Sequence, residues 1–260
     1  MKWSPSQLKE LLDEEAERYE RFGFIESDPI SIPHFFSKKE DIEVAAFLAA
    51  TISWGNRKSI IANASKWMNW MDHQPHDFVL NHSKRELMRL KKFVHRTFNG
   101  DDAMFFVKGL QHLYLNHGGL EGSFSRHFKK GDIRTSITGF REDFFEIPHP
   151  VRTTKHVSNP ETGSSSKRIN MFLRWMVRPG TKGVDFGLWN AIPTSALMLP
   201  LDVHTGNVAR ELGILQRNQN DWKALEEIMT TLRLFDKNDP VKYDFALFGM
   251  GVNKSYDAIL

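Results

Sequence analysis

The chain has 260 residues, a formal net charge of +3 and no cysteine. That length allows one or two domains with a real core, and the missing thiols exclude disulfide scaffolds, iron–sulfur clusters, thiolate zinc sites and cysteine nucleophiles. The longest apolar stretch, near Val44–Ile52, is far short of the roughly 20 residues that span a bilayer, and the N-terminus leads into an acidic segment rather than an apolar signal core, so a cytoplasmic protein is expected.

In chain order, Ser4-Pro5 reads as a helix cap with proline at the first helical position. Leu8, Leu11, Leu12, Ala16 and Tyr19 then form one apolar stripe. Asp41–Trp54 is apolar nearly all round and predicts a central buried helix. Met104–Tyr114 predicts another, stopping near Gly118-Gly119. Phe145–Gly163 lacks apolar periodicity, is rich in Pro, Thr, Ser and His, and reads as a loop. Ile169, Phe172, Leu173 and Met176 recur at helical spacing, as do Trp222, Leu225, Ile228, Met229 and Leu232. Asp239-Pro240 repeats the cap-plus-proline start before Val241–Met250. No run alternates strictly between hairpin turns, so strands are minor at best. The expected class is all-α, one unit of two helical lobes in which the N-terminal and C-terminal helices share a lobe.

The small net charge hides uneven placement. Between His149 and Lys182 stand Arg152, Lys155, Lys167, Arg168, Arg174, Arg178 and Lys182 against Glu161 alone, and Lys84–Arg96 is a second basic strip. Basic blocks in a nearly neutral protein fit a local polyanion footprint, although solvated helix faces give the same pattern. Arg174 and Arg178, four apart and off the apolar stripe, are placed where a duplex backbone could run.

Two segments carry chemistry. Thr162-Gly163-Ser164-Ser165-Ser166 enters the helix that starts at Lys167-Arg168-Ile169. A small-residue turn at a helix start offers backbone N–H groups and a positive helix end, which makes a phosphate seat. Arg168 and the helix end both disfavour a charged Lys167 and favour its nucleophilic amine. In Leu199-Pro200-Leu201-Asp202-Val203-His204, Asp202 opens a helix predicted over Thr205–Leu212. Its plain role is an N-cap worth about 1 kcal/mol; Lys167 could equally be a solvated surface amine.

The stretches KRINMFLRWMVRPG, VDFGLW, LPLDVHTGNVARELGIL and DPVKYDFALFGMG, with a weaker echo in AAFLAATISWGNR, resemble the helix–hairpin–helix DNA glycosylase superfamily. The match covers about half the chain and is nearest to an uncharacterised bacterial family similar to the archaeal 8-oxoguanine DNA glycosylases. It implies a two-lobed helical fold with a helix–hairpin–helix element, and a base-excision enzyme that flips a damaged base, such as 8-oxoguanine, out of double-stranded DNA and removes it. By the same resemblance Lys167 attacks the sugar and forms a Schiff base that permits lyase chemistry, and Asp202 activates that amine. Gly163, Ser164, Ser165, Ser166, Arg168, Arg174, Arg178 and His204 would contact DNA. Trp54 and Trp189 would stack on the base and Asn56 bond its edge. No metal, other cofactor or membrane is implied.

The sequence departs from that pattern in three respects. Gly163 stands alone where two glycines are usual. Lys167 and Asp202 lie 35 positions apart, with Pro179–Pro193 inserted between them. Arg168 could take the nucleophile's place, which an arginine cannot serve. Trp54 and Asn56 read equally well as a core cap and a helix end, and Trp189 as core. His112 and His117 are five apart across a helix end, poor spacing for a metal. A non-catalytic helix–hairpin–helix protein that binds DNA structure fits the same surface, and action on RNA or a nucleoside stays open.

Overall fold

The computed structural model describes residues 3–129 and 131–253. They form two compact units, one of residues 1–24 with 160–260 and one of residues 25–159. Among the described residues the chain is all-α apart from two short strands, and no helix is long and apolar enough to cross a membrane.

Helix α1, Pro5–Tyr19, starts as its sequence dictates: Ser4 and Gln7 form a reciprocal capping box and Pro5 takes the first position. The chain then enters the second unit, built around α2, Lys39–Thr51, in which every residue from Ile42 to Thr51 is buried. A helix covered on all sides needs no amphipathic stripe. It ends at Thr51, three residues short of the predicted bound, where Ser53 turns its hydroxyl back onto the Ala49 carbonyl at 2.7 Å. Helices α3, Arg57–Trp70; α4, Pro75–Asn81; and α5, Lys84–Arg89, follow. Strands β1, Val94–His95, and β2, Phe98–Asn99, then pair antiparallel.

Helix α6, Gly100–Asn116, is longer than its apolar stripe because Asn99 and Asp102 add a capping box upstream. Helices α7, Gly119–His127, and α8, Ile133–Phe144, complete the unit. The core is aromatic: Phe47 meets Phe106, Phe140 and Phe144 at ring separations of 5.5 to 5.9 Å. The predicted loop 145–163 contains 3-10 turns at Val151–His156 and Pro160–Thr162. Such turns need only local bonds and leave no apolar period to read. It is this second turn, not an α-helix, that leads towards α9.

The first unit resumes with α9, Lys167–Val177; α10, Val203–Glu211; α11, Trp222–Phe235; and α12, Tyr243–Asn253, with a 3-10 turn at Pro240–Lys242 opening the last. Helix α10 starts at Val203, two residues before its predicted bound, with Asp202 as its cap. Helices α1 and α12 pack together. Their approach depends on Gly249, where a Cβ would stand 2.2 Å from the Tyr19 ring. Tyr243 also donates its hydroxyl to Asp13 at 2.9 Å.

The segment 179–193 folds back on the end of α9. The amides of Phe186 and Leu188 bond the carbonyls of Trp175 and Met176 at 2.8 and 2.7 Å. This return delivers Asp185 to two arginines of α9, donating to it from Arg174 Nε at 3.2 Å and Arg178 Nη1 at 3.1 Å. Asp244, Glu20 and Asp239 complete the network, and Phe245 lies beneath the Arg174 guanidinium at 4.4 Å. Arg174 and Arg178 are only 4% and 5% exposed. The expectation that they face a duplex is therefore corrected. They lie off the apolar stripe because they fill a buried ionic layer, whose acids come from segments far apart in sequence.

Candidate active site

The turn 163–166 is shaped by two left-handed residues. Gly163 has φ +90 and open space around it. Ser166 has φ +48, so the turn ends on a conformation that is costly for a side-chain-bearing residue and the helix begins at Lys167. Ser164 Oγ accepts from the Ser166 amide at 3.1 Å, and Asn170 Nδ2 bonds the Ser165 carbonyl at 2.9 Å. The Gly163 carbonyl is engaged by the Trp222 amide at 2.9 Å.

Asp202 caps α10 by accepting from the Thr205 amide at 3.0 Å through Oδ1. Its other oxygen, Oδ2, lies 3.0 Å from Lys167 Nζ. One carboxylate thus serves as helix cap and as partner of the amine. Burial works against its charge, but Lys167, the Thr205 amide and His204 outweigh it and hold its pKa below the ordinary value. The backbone carbonyl of Asp202 accepts from Asn220 Nδ2 at 3.0 Å, which fixes the cap from behind. Ser166 Oγ, Asn170 Oδ1 and Thr205 Oγ1 are buried here with no hydrogen-bond partner among the described residues.

Asp244 is a third charged group that sequence reasoning missed. Burial pushes its carboxyl up to about 6; the charges of Asp202 and Asp185 add to the rise, while Arg174 and Lys167 oppose it. The signal was present as an acid inside the apolar run from Tyr243 to Met250. Arg168 is partly buried, and burial lowers its guanidinium to about 10.

Other predicted contacts divide. Gly163, Ser164 and Arg168 are partly exposed and His204 is exposed. Ser165 and Ser166 are buried, so their hydroxyls are not presented to a phosphate backbone, which corrects that expectation. Ser166 closes the turn in a left-handed conformation, and the Ser165 hydroxyl is turned towards the Leu201 carbonyl at 3.5 Å. Trp189 is 2% exposed and packs edge-on against Phe172 at 5.4 Å, a core residue rather than a stacking surface.

Trp54 and Asn56 belong to the unit of residues 25–159. Asn56 caps α3, its side-chain oxygen accepting from the Ser59 amide at 3.2 Å. Trp54 is half-buried, stacked on His156 at 5.9 Å and met edge-on by His95 at 5.0 Å. Burial lowers the His95 pKa, with Arg96 adding to the effect, against hydrogen bonds to the Trp54 and Ile52 carbonyls. His95 Nε2 lies 3.1 Å from the Trp54 carbonyl and Nδ1 3.0 Å from Asn63 Nδ2. A neutral ring with its proton on Nε2 satisfies both contacts.

His112 and His117, set aside on spacing, do come together. Their Nε2 atoms are 3.1 Å apart, with Glu146 against both. An i, i+5 pair on a continuous helix points about 140° apart. Helix α6 ends at Asn116, however, and His117 at the cap takes φ -126, which swings its ring back.

No curated protein and no solved structure matches the chain. Residues 28–253, most of the chain, match the family described as "Protein of unknown function (DUF2400)", and the protein is a member of that family.

Proposed function

We propose that the protein is a base-excision DNA glycosylase with associated lyase activity, acting on an oxidised base in double-stranded DNA. The observation that carries this reading is the 3.0 Å approach of Lys167 Nζ to Asp202 Oδ2, an amine and a carboxylate each at the start of a helix. The resemblance of the surrounding stretches to helix–hairpin–helix glycosylases supplies the reaction class. The amine gives up a proton and attacks C1′ of the sugar. The glycosidic bond breaks, and its electron pair leaves with the base, which takes up a proton. Loss of the second amine proton and ring opening give a Schiff base, from which loss of a C2′ proton expels the 3′ phosphate. Asp202, ionised at neutral pH, accepts the first proton and stabilises the positive charge that develops on the sugar.

The test is borohydride trapping on duplexes that carry single lesions. A covalent adduct with wild type, lost in Lys167→Ala, is the expected result. Absence of an adduct on every lesion, with base release unaffected by Lys167→Ala, would falsify the nucleophile assignment.

A second reading is favoured by the lowered Asp202 pKa and its cap. A stable ammonium–carboxylate pair suits a non-catalytic module that binds DNA structure. Salt-dependent duplex binding without release of any base, unchanged in Asp202→Asn, distinguishes it.

A further inference from the structure

We infer that His112, His117 and Glu146 form a binding site for a first-row divalent transition-metal ion, independent of the Lys167–Asp202 site. His112 Nε2 and His117 Nε2 are 3.1 Å apart, and Glu146 Oε2 lies 2.8 Å from the first and 2.9 Å from the second. Two imidazoles and one carboxylate are a donor set suited to zinc, cobalt, nickel or ferrous iron.

The spacing lets the three atoms share one ion. Ligand atoms about 2.1 Å from an ion and at right angles lie about 3.0 Å apart, whereas tetrahedral ligands lie about 3.4 Å apart. The three separations here match one face of an octahedron. An ion about 2.1 Å from each atom sits about 1.2 Å above their plane, and the opposite face is left for water or another ligand.

Protons alone do not satisfy this triangle. If both Nε2 atoms carry a proton, each donates to Glu146, but the two N–H groups then oppose each other. If only one does, the other nitrogen turns a lone pair towards the carboxylate. At most two of the three contacts are favourable, whereas a cation makes all three lone pairs attractive.

The surroundings support the same conclusion. His117 is only 10% exposed in its side chain, so its ring is held in place, while Glu146 is 58% exposed and gives an ion a route in. Both histidines lie at the C-terminal end of the 17-residue helix α6, whose dipole favours a cation. Phe145 stacks on Phe105 at 5.3 Å and anchors the residue before Glu146. Metal on His112 Nε2 places the ring proton on Nδ1. The exposed Asn116 amide, now 3.0 Å from Nδ1 through Nδ2, presents its oxygen to that proton by rotating. The ion would join the end of α6 to the segment after α8.

The experiment uses the full-length, untagged chain, stripped with a chelator and titrated calorimetrically with Zn²⁺, Co²⁺ and Ni²⁺ separately. One ion per chain is expected, with affinity reduced about tenfold or more in both His112→Ala and Glu146→Gln. At a hundredfold excess over Kd the wild-type melting temperature should rise by about 5–10 °C, and Glu146→Gln should not share the rise. Bound Co²⁺ should give a visible d–d absorption that is absent in Glu146→Gln. No saturable binding at millimolar metal, or equal binding by wild type and both variants, overturns the proposal. Glu146→Gln is an exposed substitution that keeps the fold, so its result does not depend on core damage.

Discussion

The Lys167 amine and the Asp202 carboxylate meet at 3.0 Å, joining the first residue of α9 to the cap of α10. The same aspartate closes the first turn of its helix. Substitutions at 202 therefore separate chemistry from folding. Asp202→Asn keeps an oxygen for the Thr205 amide but removes the charge. It should cut single-turnover cleavage of a lesion duplex by about 10²–10⁴-fold while leaving the urea midpoint nearly unchanged. Asp202→Ala should lose activity and also about 1 kcal/mol of stability. Equal activity in wild type and Asp202→Asn would remove the aspartate from the mechanism.

Asp185 is the shared acceptor of two buried arginines. Asp185→Ala leaves both guanidinium groups short of a counter-charge and should cost about 3–5 kcal/mol in chemical denaturation. Because Arg174 and Arg178 are buried, replacing them should lower stability without changing the salt dependence of duplex binding per folded molecule. A reduced salt slope in folded Arg174→Gln would return that arginine to the DNA interface.

Asp244 makes stability depend on pH in an unusual direction. Its carboxyl is pushed up to about 6 from an ordinary 3.8, so the folded state holds its proton more tightly than the unfolded state. The stability it contributes is complete below about pH 4 and is lost as pH rises through about 6. Relative to Asp244→Asn, the wild type should lose up to about 3 kcal/mol across that window. Urea midpoints at intervals between pH 4 and 7 read the difference directly; parallel curves for the two proteins would refute it. Asp221, held down to about 2 by Arg217 and its own helix cap, acts with the opposite sign, and its contribution is lost only as pH falls below its ordinary range.

Gly249 is where α12 touches α1. A methyl group there would stand 2.2 Å from Tyr19 Cδ2. Gly249→Ala should therefore destabilise by about 1–3 kcal/mol despite alanine's better helix propensity. The double variant with Tyr19→Ala should recover part of the loss, since removing the ring removes the clash; a loss that simply adds would place the strain elsewhere.

Local signals in the chain carry local structure. The Ser4 box, the Asn56 and Asp202 caps and the all-round apolar character of Ile42–Thr51 depend on residues within one or two turns of each other, and they determined where helices form and why strands are scarce. Lys167 and Asp202 stood out for the same reason, as reactive side chains at helix starts. Tertiary structure decided what surrounds each charge. Arg174 and Arg178 read as surface cations until Asp185, Glu20, Asp239 and Asp244 arrive from other segments, and Ser165 and Ser166 read as accessible until the fold buries them. His112 and His117 read as mismatched until their helix ends between them and Glu146 comes in from 29 positions away. Electrostatic partners are chosen by distance in space, and sequence spacing records that distance only within a helix turn or two.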